Sequence, residues 1–155
     1  MESDMALLRL KNSRQKLLKE IEDLSEWERC NVQVEGIWTV KDLLGHICAW
    51  EASLCHPLRL FLQAGEFTPE NILDHDAWNA HQAEIRAGNG FAEALAEAEV
   101  TRDKLEYLAT QISPADWERS FLAPWGGYET LSQMVDGLAW HEEEHTRCIE
   151  AYKLK

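Results

Sequence analysis

Apolar residues recur along this chain at alternating three- and four-residue steps, the spacing that lines one face of an α-helix. Leu7, Leu10, Leu17, Ile21 and Leu24 mark a first helix over about Asp4 to Glu26, with Arg14 interrupting the face. A linker containing Asn31 and Gly36 follows. Thr39 and Asp42 then read as a helix start, a capping hydroxyl with an acidic residue in the first turn. Leu43, Ile47, Trp50, Leu54, Leu58 and Phe61 carry that stripe toward Gly65. Pro57 falls inside it, and its missing N–H predicts a kink or break near Cys55-His56. A shorter helix is expected around Asp76 to Arg86, closed by Gly88 and Gly90. Phe91 to Gln111 has strong helical composition, with Leu95, Ala98, Leu105 and Leu108 on its apolar side. Ser113-Pro114-Ala115-Asp116 reads as one capped turn, and Thr130 with Gln133 opens a final helix. No segment alternates with a period of two, so essentially no sheet is expected. The predicted fold is all-α: a four-helix bundle with additional short helices, one domain over residues 1–155.

The last stripe changes chemistry part-way along. Leu131, Met134 and Leu138 lead to His141, His145, Cys148 and Tyr152 at the same helical spacing. Two imidazoles thus stand where aliphatic side chains are expected. Burying them without partners costs on the order of 1–3 kcal/mol each. Cβ atoms at i and i+4 lie about 5–6 Å apart, close enough for both rings to reach one cation. A third histidine, His46, borders the stripe of the second main helix. Three histidine ligands leave an open position, the arrangement of a catalytic rather than a closed structural zinc site. Imidazole also suits nickel, iron and copper. The competing reading makes these core histidines, satisfied by carbonyls or carboxylates.

Neighbouring residues yield further candidates. Glu142 is the acidic residue nearest the stripe and a candidate to orient a ligand histidine or act as a base, whereas the run Glu142–Glu144 otherwise reads as a solvated face. Trp38, Trp50, Trp125 and Tyr128 are candidates to line a pocket above the ion. Cys148, three residues after His145, is placed to approach the ion but reads more readily as packing, and His56, His75 and His81 read as surface or capping residues. His141-Glu142-x-x-His145 also matches the HExxH pattern of zinc peptidases. Only ten residues follow His145, leaving little room for the downstream third ligand that such enzymes use. No catalytic base or nucleophile is assigned.

Composition narrows the partners. The formal net charge is −13, from 28 acidic and 15 basic side chains, and no cluster of Lys and Arg interrupts it. Nucleic acids and anionic membrane surfaces are therefore disfavoured. No apolar run approaches the ~20 residues of a membrane span. Met1-Glu2-Ser3-Asp4 lacks the basic and then apolar regions of a secretory signal. Cys30, Cys48, Cys55 and Cys148 form no paired motif, so a reduced, cytoplasmic setting is expected.

Trp38-Thr39-Val40-Lys41-Asp42-Leu43-Leu44-Gly45-His46-Ile47-Cys48-Ala49-Trp50-Glu51 resembles the second-helix signature of the DinB-like (DinB/YfiT) metal-binding superfamily. His141-Glu142-Glu143-Glu144-His145 is similar to that family's closing HxxxH pair, and Asp76-Ala77-Trp78-Asn79 resembles its Asn-containing segment between the second and third helices. The resemblance implies a four-helix bundle holding a divalent ion, zinc or nickel, through His46, His141 and His145. It also implies homodimerisation. Family members with assigned activities include thiol-dependent transferases and a thiol-dependent isomerase. The implied function is thus metal-dependent chemistry on a small molecule, such as S-transfer with a low-molecular-weight thiol. The alternative is a non-catalytic, stress-related module that binds a metal or ligand.

Overall fold

The computed structural model describes residues 2–155; Met1, where the expected domain begins, lies outside the described residues. Four long helices form the bundle: α1 (Glu2–Glu22), α3 (Val40–Ala64), α5 (Phe91–Thr110) and α7 (Leu131–Lys153). Shorter helices α2 (Glu26–Asn31), α4 (His75–Arg86) and α6 (Pro114–Trp117) join them. α1 packs along α7 and α3 along α5, while α3 also meets α4 and α7.

The helix starts follow the side-chain chemistry of their caps. Thr39 Oγ1 accepts from the Asp42 N–H at 3.2 Å, and the Asp42 carboxylate accepts from the Thr39 N–H at 2.9 Å. Thr130 and Gln133 repeat this reciprocal pair at the start of α7. Each satisfies backbone donors that the first helical turn leaves unbonded.

Apolar stripes then close the bundle. Leu10, Leu54, Leu58, Leu105 and Met134 are fully buried in one part of the core, and Leu17, Leu43, Leu44, Ile47 and Ile149 in another. Each such side chain contributes about 1.5–3 kcal/mol relative to exposure.

Three expectations need correction. The first helix ends at Glu22, and Ser25 caps a separate α2 by the same reciprocal pairing with Glu28. Pro57 does not break α3, which runs as one helix from Val40 to Ala64. Leu54, Leu58 and Phe61 on either side of the missing hydrogen bond are all buried, and their packing holds the helix together. Sheet is present too, as two antiparallel hairpins: β1 (Gln33–Glu35) with β2 (Trp38–Thr39), and β3 (Ser120–Leu122) with β4 (Tyr128–Thr130). Their strands are two or three residues long, too short to show a two-residue alternation. Gly36, with φ of +58°, makes the first turn in a conformation that side-chain-bearing residues rarely adopt.

The face of α7 is also rotated from the expected one. Its buried residues after Leu138 are Ala139, Glu142, Thr146 and Ile149, while His141 and His145 are half-buried along the edge. Polar groups occupy the core face because α1, α3 and α5 bring partners to it. The Glu142 carboxylate accepts from Ser13 Oγ (2.6 Å), Arg14 Nε (2.7 Å) and Arg102 Nη2 (3.0 Å). Arg102 also pairs with both oxygens of Glu51, each at 2.9 Å, and Arg14 with Glu51 at 3.1 Å. Arg14, the residue that interrupts the stripe of α1, therefore belongs to a buried network.

Candidate metal centre

The edge of α7 that Glu142 leaves free faces α3. His46, in the second turn of α3, lies across from His141 and His145. His46 Nε2 and His145 Nε2 each sit 3.0 Å from His141 Nε2. One nitrogen from each ring can be chosen so that all three lie within 4.8 Å of one another. The structure thus brings together residues separated by 95 positions in the chain.

Hydrogen bonding among the rings does not account for this arrangement. His145 Nδ1 lies 2.6 Å from Glu35 Oε2, which assigns the ring proton to Nδ1 and leaves a lone pair on Nε2. His141 Nε2 carries at most one proton yet faces two other Nε2 atoms. Protonating the rings fully is opposed by the surroundings. Burial, reinforced by repulsion from the neighbouring imidazoles, pushes His46 down to about 2 and His141 down to about 3. Neutral imidazoles with converging lone pairs are the state that binds a metal. Zinc–nitrogen bonds of 2.0–2.1 Å in tetrahedral geometry separate ligand nitrogens by about 3.3 Å, close to the 3.0 Å from His141 Nε2 to each of the other two Nε2 atoms. The trio fits a divalent cation on donor type, and the two contacts of His141 fit it on distance.

Both helices are held at this point by small, specific features. Gly45, beside His46, admits the Arg86 side chain from the end of α4: a Cβ there would lie 2.9 Å from Arg86 Cδ. Arg86 is itself anchored to Glu97 at 2.8 Å. Trp38, at the start of β2, packs on the His46 ring with centroids 4.5 Å apart.

A cleft of about 450 Å³ opens beside His46 and His141. Trp50, Trp125, Trp140 and Leu138 form apolar parts of its wall, and His75, Asn79 and Glu129 add polar atoms. Trp50 Nε1 donates to Asn79 Oδ1 at 2.9 Å, and Trp125 Nε1 donates to Glu129. His75 meets the Trp125 carbonyl at 2.9 Å. No Lys or Arg among the described residues lines this cleft.

The candidate residues fare differently against this geometry. Trp50 and Trp125 line the cleft, whereas Trp38 supports a histidine from outside it. Tyr128 is 79% exposed and is not among the cleft's lining residues. Glu142 does not reach a histidine ring: its two oxygens are taken by Ser13, Arg14 and Arg102 on the opposite side of α7. Glu35 occupies the place expected for Glu142, beside a histidine. Cys148 donates to Glu35 Oε1 at 3.0 Å, and burial together with that carboxylate pushes its thiol up to about 11. His75, read from sequence as a surface or capping residue, contributes to the cleft. Glu35, His75 and Glu129 lie outside the helical stripes, so periodicity carried no signal for them.

The DinB superfamily model matches residues 9–149. This chain belongs to the DinB superfamily. Among solved structures, the bundle is similar to a mycothiol-dependent maleylpyruvate isomerase, with a TM-score of 0.80 at 14% identity, covering 95% of this chain and 60% of the isomerase. The chain therefore spans less than two thirds of that enzyme's length. It is also similar to an uncharacterised protein from Escherichia coli, with a TM-score of 0.80 at 11% identity, covering 96% of this chain and 91% of the other. YfiT from Bacillus subtilis, described as a probable metal-dependent hydrolase with an unusual four-helix bundle topology, aligns with a TM-score of 0.72 at 18% identity over 96% of this chain and 84% of its own. These likenesses establish the fold. No curated protein matches the sequence. No helix among the described residues is long and apolar enough to cross a membrane.

Proposed function

We propose that this chain is a divalent-metal-dependent enzyme of small-molecule chemistry, with thiol-dependent S-transfer as its reaction. The observation that carries the reading is the convergence of three imidazoles at the edge of an open, tryptophan-walled cleft. His46, His141 and His145 would hold the ion, zinc or nickel, leaving a position for an exogenous ligand. A cation held there supplies Lewis-acid charge that lowers the pKa of a bound low-molecular-weight thiol.

The chain's own residues do the rest. Trp50, Trp125 and Trp140 offer apolar surface for a co-substrate and exclude water from it. The absence of Lys and Arg from the cleft favours an uncharged electrophile over a multiply anionic one. Glu129 and His75 provide the polar groups within reach of a bound molecule. Two structural neighbours support the reading at the level of chemistry, one described as mycothiol-dependent and the other as a metal-dependent hydrolase.

Hydrolysis is the second reading, favoured by the Glu129 carboxylate in the cleft wall. A non-catalytic ion is disfavoured because the cleft is open beside two of the three imidazoles, whereas structural zinc sites are closed.

The test is elemental analysis of tag-free protein, followed by conjugation of a neutral electrophile with a panel of cellular thiols. Metal-dependent conjugation, lost on chelation and in His145→Ala, supports the proposal. Turnover of a simple ester without any thiol favours hydrolysis. Full metal occupancy with neither activity overturns the enzymatic reading.

A further inference from the structure

The hairpin β1–β2 reaches the histidine cluster from outside the four long helices. Glu35, the last residue of β1, places Oε2 2.6 Å from His145 Nδ1 and accepts at Oε1 from the Cys148 thiol at 3.0 Å. His145 and Cys148 are three residues apart on α7, so one carboxylate bridges neighbouring positions on one face of the helix. No Lys or Arg among the described residues is within ion-pair distance of Glu35, whose close partner is the His145 ring. Past Gly36 the same hairpin sets Trp38 against the His46 ring. A single short turn thus touches two of the three histidines, and it meets His145 at the nitrogen away from the converging ones.

We infer that Glu35 is a positioning residue for the metal centre: its carboxylate holds His145 with the proton on Nδ1, so that the Nε2 lone pair faces the ion. The inference rests on the metal-binding reading above. An imidazole presents a lone pair from Nε2 only while Nδ1 carries the proton, and the group that accepts from Nδ1 selects that tautomer. The accepting carboxylate also raises the basicity of the ring as a ligand and fixes its plane. Cys148 serves the same end from the other oxygen: its S–H donates to Glu35 and keeps the carboxylate turned toward α7.

The experiment compares the wild type with Glu35→Ala, Glu35→Gln and His145→Ala. Nitrogen chemical shifts of the His145 ring in metal-free protein report the tautomer, and competition with a chromophoric chelator reports zinc affinity. In the wild type, His145 is protonated at Nδ1. Glu35→Ala is expected to lose that preference and to bind zinc about 10–100-fold more weakly. The amide oxygen of Glu35→Gln still accepts from Nδ1, so this variant recovers the tautomer and part of the affinity. The cobalt-substituted Glu35→Ala protein should show an altered d–d spectrum.

An unchanged tautomer and affinity in folded Glu35→Ala overturns the inference while leaving the metal site standing, provided His145→Ala no longer binds. A lower melting temperature with the tautomer intact assigns Glu35 a purely structural role and overturns it as well. If the wild type binds zinc no better than His145→Ala, the metal reading itself fails and takes this inference with it.

Discussion

Two polar clusters lie on opposite sides of α7, and they are built on opposite principles. Around Glu142, two arginines face two glutamates, and each carboxylate oxygen there accepts from a protein donor. The spare arginine N–H groups reach the Leu10 and Ala98 carbonyls at 2.7 and 3.1 Å. Formal charges cancel, and nothing external is required. Around His141, three acceptor-bearing rings point at one another with too few protons to join them. The first cluster is complete as protein; the second has more acceptors than donors, a set that a cation fits. Inside one bundle, the balance of donors against acceptors separates a structural network from a candidate site.

Breaking the complete cluster should have the largest effect. Glu142→Ala leaves two buried guanidinium groups short of an anion, which is expected to cost about 3–5 kcal/mol of stability in urea denaturation. If its histidine geometry survives, the folded fraction keeps its zinc stoichiometry. A loss of zinc binding without a loss of stability would reverse the roles assigned to the two clusters.

Breaking the incomplete cluster should spare the fold. His46→Ala is expected to weaken zinc binding by at least about 100-fold, roughly 2.8 kcal/mol, measured by chelator competition. The metal-free protein should be as stable as the wild type, or more so, because a desolvated imidazole has been removed.

Acid sharpens the contrast further. Unfolded imidazoles titrate near 6.5, whereas burial first, then neighbouring imidazoles, hold folded His46 at about 2 and His141 at about 3. Below about 6.5 the unfolded chain therefore binds more protons than the folded one. Stability of the metal-free protein falls as pH drops through that range, by up to about 1.4 kcal/mol per unit for each ring. Urea midpoints between pH 7 and 5 should decline in the wild type and flatten in a His46→Ala/His141→Ala double variant.

The smallest expected effect is at a helix start remote from both clusters. Thr130→Ala removes the acceptor for the Gln133 N–H and should cost about 1 kcal/mol with zinc affinity unchanged. Calorimetry beside chelator competition would check both halves.

Most of the helical framework was legible in the chain. Alternating steps located the four long helices, and Thr39/Asp42 and Thr130/Gln133 marked two starts to the residue. The i, i+4 spacing of His141 and His145 was legible too, as was the position of His46 beside its stripe. The rotation of α7 was not. A carboxylate on the core face looks like an error in the pattern until the arginines that meet it are known. Glu142 therefore seemed free to serve a histidine, when Arg14 and Arg102 had already engaged it. Glu35 was illegible for a different reason: it lies in a strand of three residues, 110 positions from the ring it contacts.

The sequence by itself determined where helices begin, which residues are apolar enough to drive them together, and that two imidazoles share one helical face. Those are local properties, set by backbone capping and by the 3.6-residue period. Only the tertiary structure decided which carboxylate faces which cation, whether His46 meets the C-terminal pair, and which tryptophans border open space. Each of these depends on distances between segments far apart in the chain, which the packing of the helices against one another sets.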